Sequence, residues 1–402
     1  MPVSLAASRP HLYRLRLYYF LWIGAGGFVI PFIGLFYRQQ GLSGTEIGLL
    51  STCAAIVGLL LAPQWGRWSD RLARPQRLIQ FGLVGVALCW LALSQQHFFG
   101  PMALLVALES ALGAGIWPLS DSLTLGVARE ARAGFGSVRV WGSLGWAVTV
   151  LGGGWLIERT GLLAAFAGGA SAYLLGALVL LGLTTARPAP PEGETAPRAA
   201  LRIVAGTLWK DRALAGLAVT LGVFWLCSQG WHQFFSIYLD QLGASETVIG
   251  VANMLGSVVE LPFMPLADRF VRRFGSHRAL LLALALYALH MGLVLVWPTV
   301  PALMLSTGIG GVSYSFETIA LVVFTTERAP AEYSATALAL YTVTLRELIG
   351  VAAGPLGGAL FDAAGAYWLS ALALVGTLIA WFILRLTVTG KRSRTQPDSP
   401  IL

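Results

Sequence analysis

Of the 402 residues, 56% are hydrophobic and 11% charged, and the mean hydropathy is +0.71. A soluble domain carries about 25% charged residues, so a water-soluble enzyme or binding module is excluded and the chain belongs in a bilayer. The formal charge of +8 raises nucleic acid as a partner, but the distribution of that charge argues against it.

Apolar runs of about 20 residues, long enough to cross the hydrocarbon layer as helices, fall near 15–37, 45–66, 78–96, 101–127, 138–157, 162–184, 213–238, 245–267, 279–297, 301–326, 333–358 and 367–388. Twelve such helices leave no room for a sizeable soluble domain. Arg9, Arg14 and Arg16 precede the first run, and further arginines fill the even-numbered connections. Odd-numbered connections hold only Arg38 and Arg159. Cytosolic loops are the ones enriched in Lys and Arg, so both termini are expected in the cytosol of a multi-pass protein of the plasma (cell inner) membrane. The first run is too long for a cleaved signal peptide. Cys53, Cys89 and Cys227 are isolated from one another and imply neither a disulfide framework nor a metal site. Tyr18, Tyr19, Trp297 and Trp368, near run ends, are expected to anchor at the membrane interface.

The connection after the second run reads Gly66-Arg-Trp-Ser-Asp70-Arg71-Leu-Ala-Arg74. The matching place in the second half reads Pro265-Leu-Ala-Asp268-Arg269-Phe-Val-Arg272-Arg273. Other pieces repeat at an offset of about 202 residues: GLSGTEIG at 41–48 with GASETVIG at 243–250, and GGWLIERTG at 153–161 with GGALFDAAG at 357–365. Two six-helix halves follow, 1–185 and 213–390. The Pro- and charge-rich stretch 186–212 joins them as an expected flexible cytosolic linker, and 391–402 forms a cytosolic tail. Duplicated bundles about an axis along the membrane normal are a recurrent transporter plan, with the solute held between them near mid-bilayer.

Gly-x-x-x-Asp-Arg with a following basic residue, in the second loop of a twelve-helix chain, resembles the signature of the major facilitator superfamily. The resemblance covers the whole chain. It implies an all-α membrane protein, with twelve transmembrane helices in two pseudo-symmetric six-helix bundles. It also implies a gate made by Gly66, Asp70, Arg71 and Arg74 with Asp268 and Arg269, in which an acid at a helix end beside arginines latches the cytosolic face until the bundles rock. The second copy carries Met264 in place of the leading glycine.

The stretch 117–146, WPLSDSLTLGVAREARAGFGSVRVWGSLGW, holds Asp121 about seven residues inside the fourth run and Arg139 about a turn into the fifth. An acid in a spanning helix costs roughly 2.5–3.5 kcal/mol and persists where it is paired or faces water. The two residues can reach each other as a structural ion pair. With Trp117, Ser143 and Trp146 beside them they can equally line a small-molecule pocket. FGSVRVWGSLGW, with an acid 18 residues before its arginine, resembles the lactose permease-like and phenylpropionate permease-like proton symporters. By that resemblance Asp121, Arg139 and Trp146 would grip the solute. Gln229-Gly-Trp-His232 and Val259-Glu260-Leu-Pro262 are similar to the phenylpropionate branch, which adds Gln229 and His232 to the binding set.

Glu260, His290, Glu317, Arg346 and Glu347 lie at depths where ionised groups are expensive. With histidine neutral, three carboxylates face one guanidinium, and an unneutralised charge there is removed by protonation rather than tolerated. At least one acid is therefore expected to load and release a proton. Glu317 is the first choice, with His290 as relay and Glu260 and Arg346 as neighbours in the coupling set. By the resemblance, His290 occupies the place of a coupling arginine of the lactose branch, and Glu317 stands about one turn from its proton-carrying acid. Arg346 and Glu347 are about 100° apart on a helix, so one is expected toward the cavity and the other into the bundle. Glu109, about 120° round from Asp121, receives no role.

The leading expectation is a secondary active transporter that takes up a small organic solute with protons, aromatic or other organic acids first and sugars or nucleosides next. A proton-driven efflux antiporter and, from another class, a non-transporting membrane sensor are the alternatives. No nucleophile–base cluster or metal-ligand spacing points to an enzyme. The expected partners are the solute, the proton and the lipid bilayer, with no cofactor beyond the proton gradient, no nucleic acid, and a monomeric state.

Overall fold

The computed structural model describes residues 5–72, 75–131, 133–181, 183, 211–329 and 334–388. Most of the 186–212 linker and the whole 391–402 tail lie outside them. Among the described residues, twelve helical segments are long and apolar enough to span a membrane. They are α1 His11–Gln39, α2 Gly44–Ser69, α3 Gln76–Leu93, α4 Phe99–Ala128, α5 Gly136–Thr160, α6 Leu163–Leu181, α7 Arg212–Gln241, α8 Glu246–Phe274, α9 Ser276–Val296, α10 Val300–Arg328, α11 Thr336–Ala364 and α12 Ala366–Thr387. Each coincides with one apolar run.

Packing repeats between the halves. In the first, α1 packs on α5 and α6, α3 on α4 and α6, and α2 on α4. In the second, α7 packs on α11 and α12, α9 on α10 and α12, and α8 on α10. Helices crossing in lipid approach through small residues because burial against acyl chains brings no hydrophobic gain. The glycines obey this: a Cβ on Gly145 would strike the Phe20 carbonyl, and one on Gly311 the Gly256 carbonyl. Three segments are irregular. The α1 helix breaks around Ile30–Phe32 at Pro31, α4 breaks at Ala114–Gly115 where the Trp65 ring leaves no room for a Cβ, and α11 contains a π turn at Leu340–Thr344.

Tyr18 and Tyr19 do not anchor at the interface. Both are fully buried in the first bundle. Their hydroxyls meet Ser120 at 2.7 Å and Asp121 at 2.7 Å, because polar groups on α4 need partners that lipid cannot supply. Trp297 and Trp368 are exposed.

The bundles touch along two seams, α2 on α11 and α5 on α8. A Cβ on Gly48 would fall on the Gly354 carbonyl, and one on Gly250 would crowd the Val150 carbonyl and Gly154. At the rim of the first seam, the Asp362 carboxylate accepts from the Gly44 amide at 2.6 Å, the Thr45 amide at 2.7 Å and the Thr45 hydroxyl at 2.7 Å. At the second, Glu158 accepts from the Thr247 amide at 3.3 Å. Glu158 and Asp362 hold the same place in the repeated nonapeptide, three residues before Gly161 and Gly365, whose φ of 89° and 85° end the helices. Each seam is thus an acid on one bundle capping the N-terminus of a helix on the other. Both lie at the face opposite the arginine-rich loops.

Candidate functional site

Two chambers lie between the bundles, beyond these seams and toward the arginine-rich face. The first, of about 680 Å³, is walled mainly by α7, α8, α9 and α10, with Trp146 reaching in from α5. The second, of about 900 Å³, is walled by α2, α4 and the middle of α11, with Trp22, Trp117 and Tyr173 as its aromatic faces. Gln229 and Arg346 line both.

His232, Glu260, His290 and Glu317 share the first chamber, so residues scattered over four helices converge. Glu317 is flanked by the Trp225 indole and the Arg346 guanidinium. The Tyr287 hydroxyl lies 3.2 Å from His232 Nε2, and its ring centroid is 5.6 Å from that of His290. His290 is 4% exposed, packs against Gly310, and its Nδ1 finds no hydrogen-bond partner. Glu260 offers its side chain to the chamber rather than to a helix end, while its backbone carbonyl accepts from the Ser315 hydroxyl at 3.2 Å.

Arg346 and Glu347 both line the second chamber, contrary to the expectation that they would diverge. The chamber wraps far enough round α11, just past its π turn, to meet both. Glu109 lines the same chamber from α4, where the sequence assigned it nothing. Among the described residues, the ion pairs within 4.0 Å are Arg139–Asp121 and Arg272–Asp268. The chambers' four carboxylates therefore share one guanidinium without a direct bridge to it.

Asp121, Arg139 and Ser143 line neither chamber. Arg139 Nη1 donates to Asp121 at 3.4 Å, and the guanidinium carbon stands 5.0 Å from the Trp117 ring centroid. The pair is partly exposed, with 42% of the Arg139 side chain and 27% of the Asp121 side chain accessible, and it abuts Trp117 at the edge of the second chamber. Of the gate residues, Arg71 and Arg269 are exposed and nothing crowds Gly66. Asp268 pairs with Arg272 one turn along its own helix, not across the bundles. The side chain of Asp70 and the whole of Arg74 lie outside the described residues.

Trp225, Tyr287 and Tyr314 escaped the sequence reading, although each stands three or four residues before a residue it singled out: Gln229, His290 and Glu317 respectively. Helical spacing puts such pairs on one face, and that was the available signal.

The profile of the MFS_1 like family matches residues 12–372. The chain belongs to this major facilitator family. The transporter is 31% identical over 395 residues to the maltose permease of Geobacillus stearothermophilus, with 97% of each chain covered. It is 24% identical over 278 residues to the lactose permease of Citrobacter freundii, covering 64% of this chain and 65% of that one. The crystal structure of the nucleoside transporter NupG superposes with a TM-score of 0.81 at 15% identity, covering 94% of this chain and 99% of the other, which establishes a common fold. A major facilitator transporter moves solutes and is not an enzyme.

Proposed function

We propose that this transporter takes up a polyhydroxylated solute, a sugar first and a nucleoside next, together with protons. The observation that carries the reading is the first chamber itself. Glu260 and Glu317 face a common space with Trp146, Trp225 and Tyr287, and among the described residues Arg346 is the permanent cation that lines it. Aromatic faces stack on the apolar faces of sugar rings, while carboxylates and amides accept and donate to hydroxyls. Similarity to the maltose permease moves sugars ahead of the aromatic acids that the sequence alone put first.

The enrichment of arginine in these loops supports a cytosolic assignment of their face. The seams at Gly48–Gly354 and Gly154–Gly250 then close the outer face, and the chambers open inward. In the cycle, Glu317 takes a proton from outside, the solute binds between the bundles 1–185 and 213–390, the seams part and re-form, and both ligands leave to the cytosol. His232, Gln229 and Trp146 hold the solute, and His290 with Tyr287 links Glu317 to it.

The test is counterflow and pH-gradient-driven accumulation of radiolabelled maltose, uridine and an aromatic acid in proteoliposomes. Glu317→Gln should abolish accumulation yet leave exchange, which needs no net proton movement. Accumulation that survives this change removes Glu317 from the proton path, and wild-type accumulation indifferent to the gradient removes proton coupling altogether.

A further inference from the structure

Glu109 stands about ten residues into α4, roughly 15 Å from the closed face at ~1.5 Å per residue. It lines the second chamber, and among the described residues no hydrogen bond or ion pair reaches its carboxylate. An ionised carboxylate only accepts, so in a bilayer-spanning helix it wants donors. The nearest hydroxyl in sequence is committed, since Ser110 donates to the Ala54 carbonyl at 2.6 Å, and among the described residues none of the wall's other donors, such as Ser51, Tyr173, Gln229, Thr344 and Arg346, is bonded to Glu109. Its acceptor positions are therefore open to donors from whatever fills the chamber.

We propose that the second chamber is a solute subsite in which Glu109 accepts hydroxyls from one ring of a two-ring polyhydroxylated solute, a disaccharide, while the first chamber holds the other ring. This rests on the sugar-uptake reading and specifies it. A vicinal diol offers two donors to one carboxylate, and Trp117 and Tyr173 present flat faces for the ring's C–H surface. The first chamber repeats the arrangement with Glu260, Trp146 and Trp225, leaving Glu317 to the proton. Gln229 and Arg346, common to both, sit where the glycosidic link would pass. A nucleoside carries its vicinal hydroxyls on one ring only and would leave one acid unmet.

The experiment is counterflow in proteoliposomes of the full chain, with maltose as the two-ring probe and glucose as the one-ring probe. Glu109→Gln keeps the volume and removes the charge. Losing a hydrogen bond to a charged group should raise half-saturation for maltose by about tenfold or more, with glucose unchanged. Ala55→Phe fills part of the second chamber from α2 while keeping the Glu109 carboxylate, and it should discriminate against maltose in the same way. Equal effects on both sugars, no effect on either, or a loss confined to gradient-driven accumulation would overturn the subsite. Wild-type protein that exchanges glucose but not maltose overturns it while leaving sugar uptake intact. Wild-type protein that exchanges neither sugar overturns the uptake reading from which it follows.

Discussion

Asp362 of α11 and Thr45 of α2 are joined by two hydrogen bonds of 2.7 Å, one to the amide and one to the hydroxyl, across the boundary between the bundles. Their counterparts in the repeat, Glu158 and Thr247, are joined by one bond of 3.3 Å to the amide. One duplicated device therefore fastens the closed face twice, more firmly on the α2–α11 side.

Removing the firmer cap should bias the protein toward the conformation open on that face. Asp362→Asn loses the charge that suits a helix N-terminus and keeps one acceptor. Because the site is exposed and screened, a shift of about three- to tenfold in the conformer ratio is expected. Distance distributions between spin labels at Gln40 and the exposed Ala364 should gain a longer component. Identical distributions in both proteins would rule out a fastening role.

The glycine crossings should tolerate no side chain. Gly48→Leu places atoms on the Gly354 carbonyl, so the α2–α11 seam has to separate and the closed face cannot re-form. Transport should fall by more than tenfold while the protein still extracts and melts as a folded species, since the substitution lies between bundles rather than within one. Normal turnover would mean that the backbones need not meet during the cycle.

Arg346 is the shared cation of both chambers, and its loss leaves the surrounding carboxylates unneutralised. Arg346→Ala should weaken solute affinity and lower the melting temperature, and adding Glu317→Gln should recover part of the melting temperature. A coupling of about 1–3 kcal/mol in the double-mutant cycle is expected for groups in one charge network. Strict additivity would uncouple them.

Asp121 and Arg139 meet the second chamber through the contact between the guanidinium and the Trp117 ring, and a role in solute binding is expected to pass through that ring. Asp121→Asn frees the guanidinium and should weaken solute affinity by about threefold. Arg139→Lys, which keeps the charge but loses the flat fork, should do nearly as much. Melting temperature that falls while affinity holds in both variants would give the pair a purely structural role.

The twelve spans and their pairing into halves were legible because lipid demands long apolar runs, and the repeated GLSGTEIG and GASETVIG segments mark equivalent helix starts. The acids and histidines of the second half were legible by their cost at depth. Tyr18 and Tyr19 were misread because proximity to a run's end does not reveal which way a helix face turns, and theirs turns toward Ser120 and Asp121. Glu109 was passed over for a related reason. Its angular separation from Asp121 counted against it only on a straight helix with one active face, and α4 breaks between the two at Ala114–Gly115.

On α7, Trp225, Gln229 and Gln233 follow one another at four-residue steps along a single stripe. Trp225 flanks Glu317, Gln229 lines both chambers, and the Gln233 amide donates across the bundle boundary to the Ile47 carbonyl at 3.0 Å and the Ser51 hydroxyl at 2.8 Å. One rigid rod thus touches the Glu317 carboxylate, both chambers and the seal in turn. A tug on its middle by an arriving molecule is carried to both ends within the stiffness of a single helix, with no relay through loops.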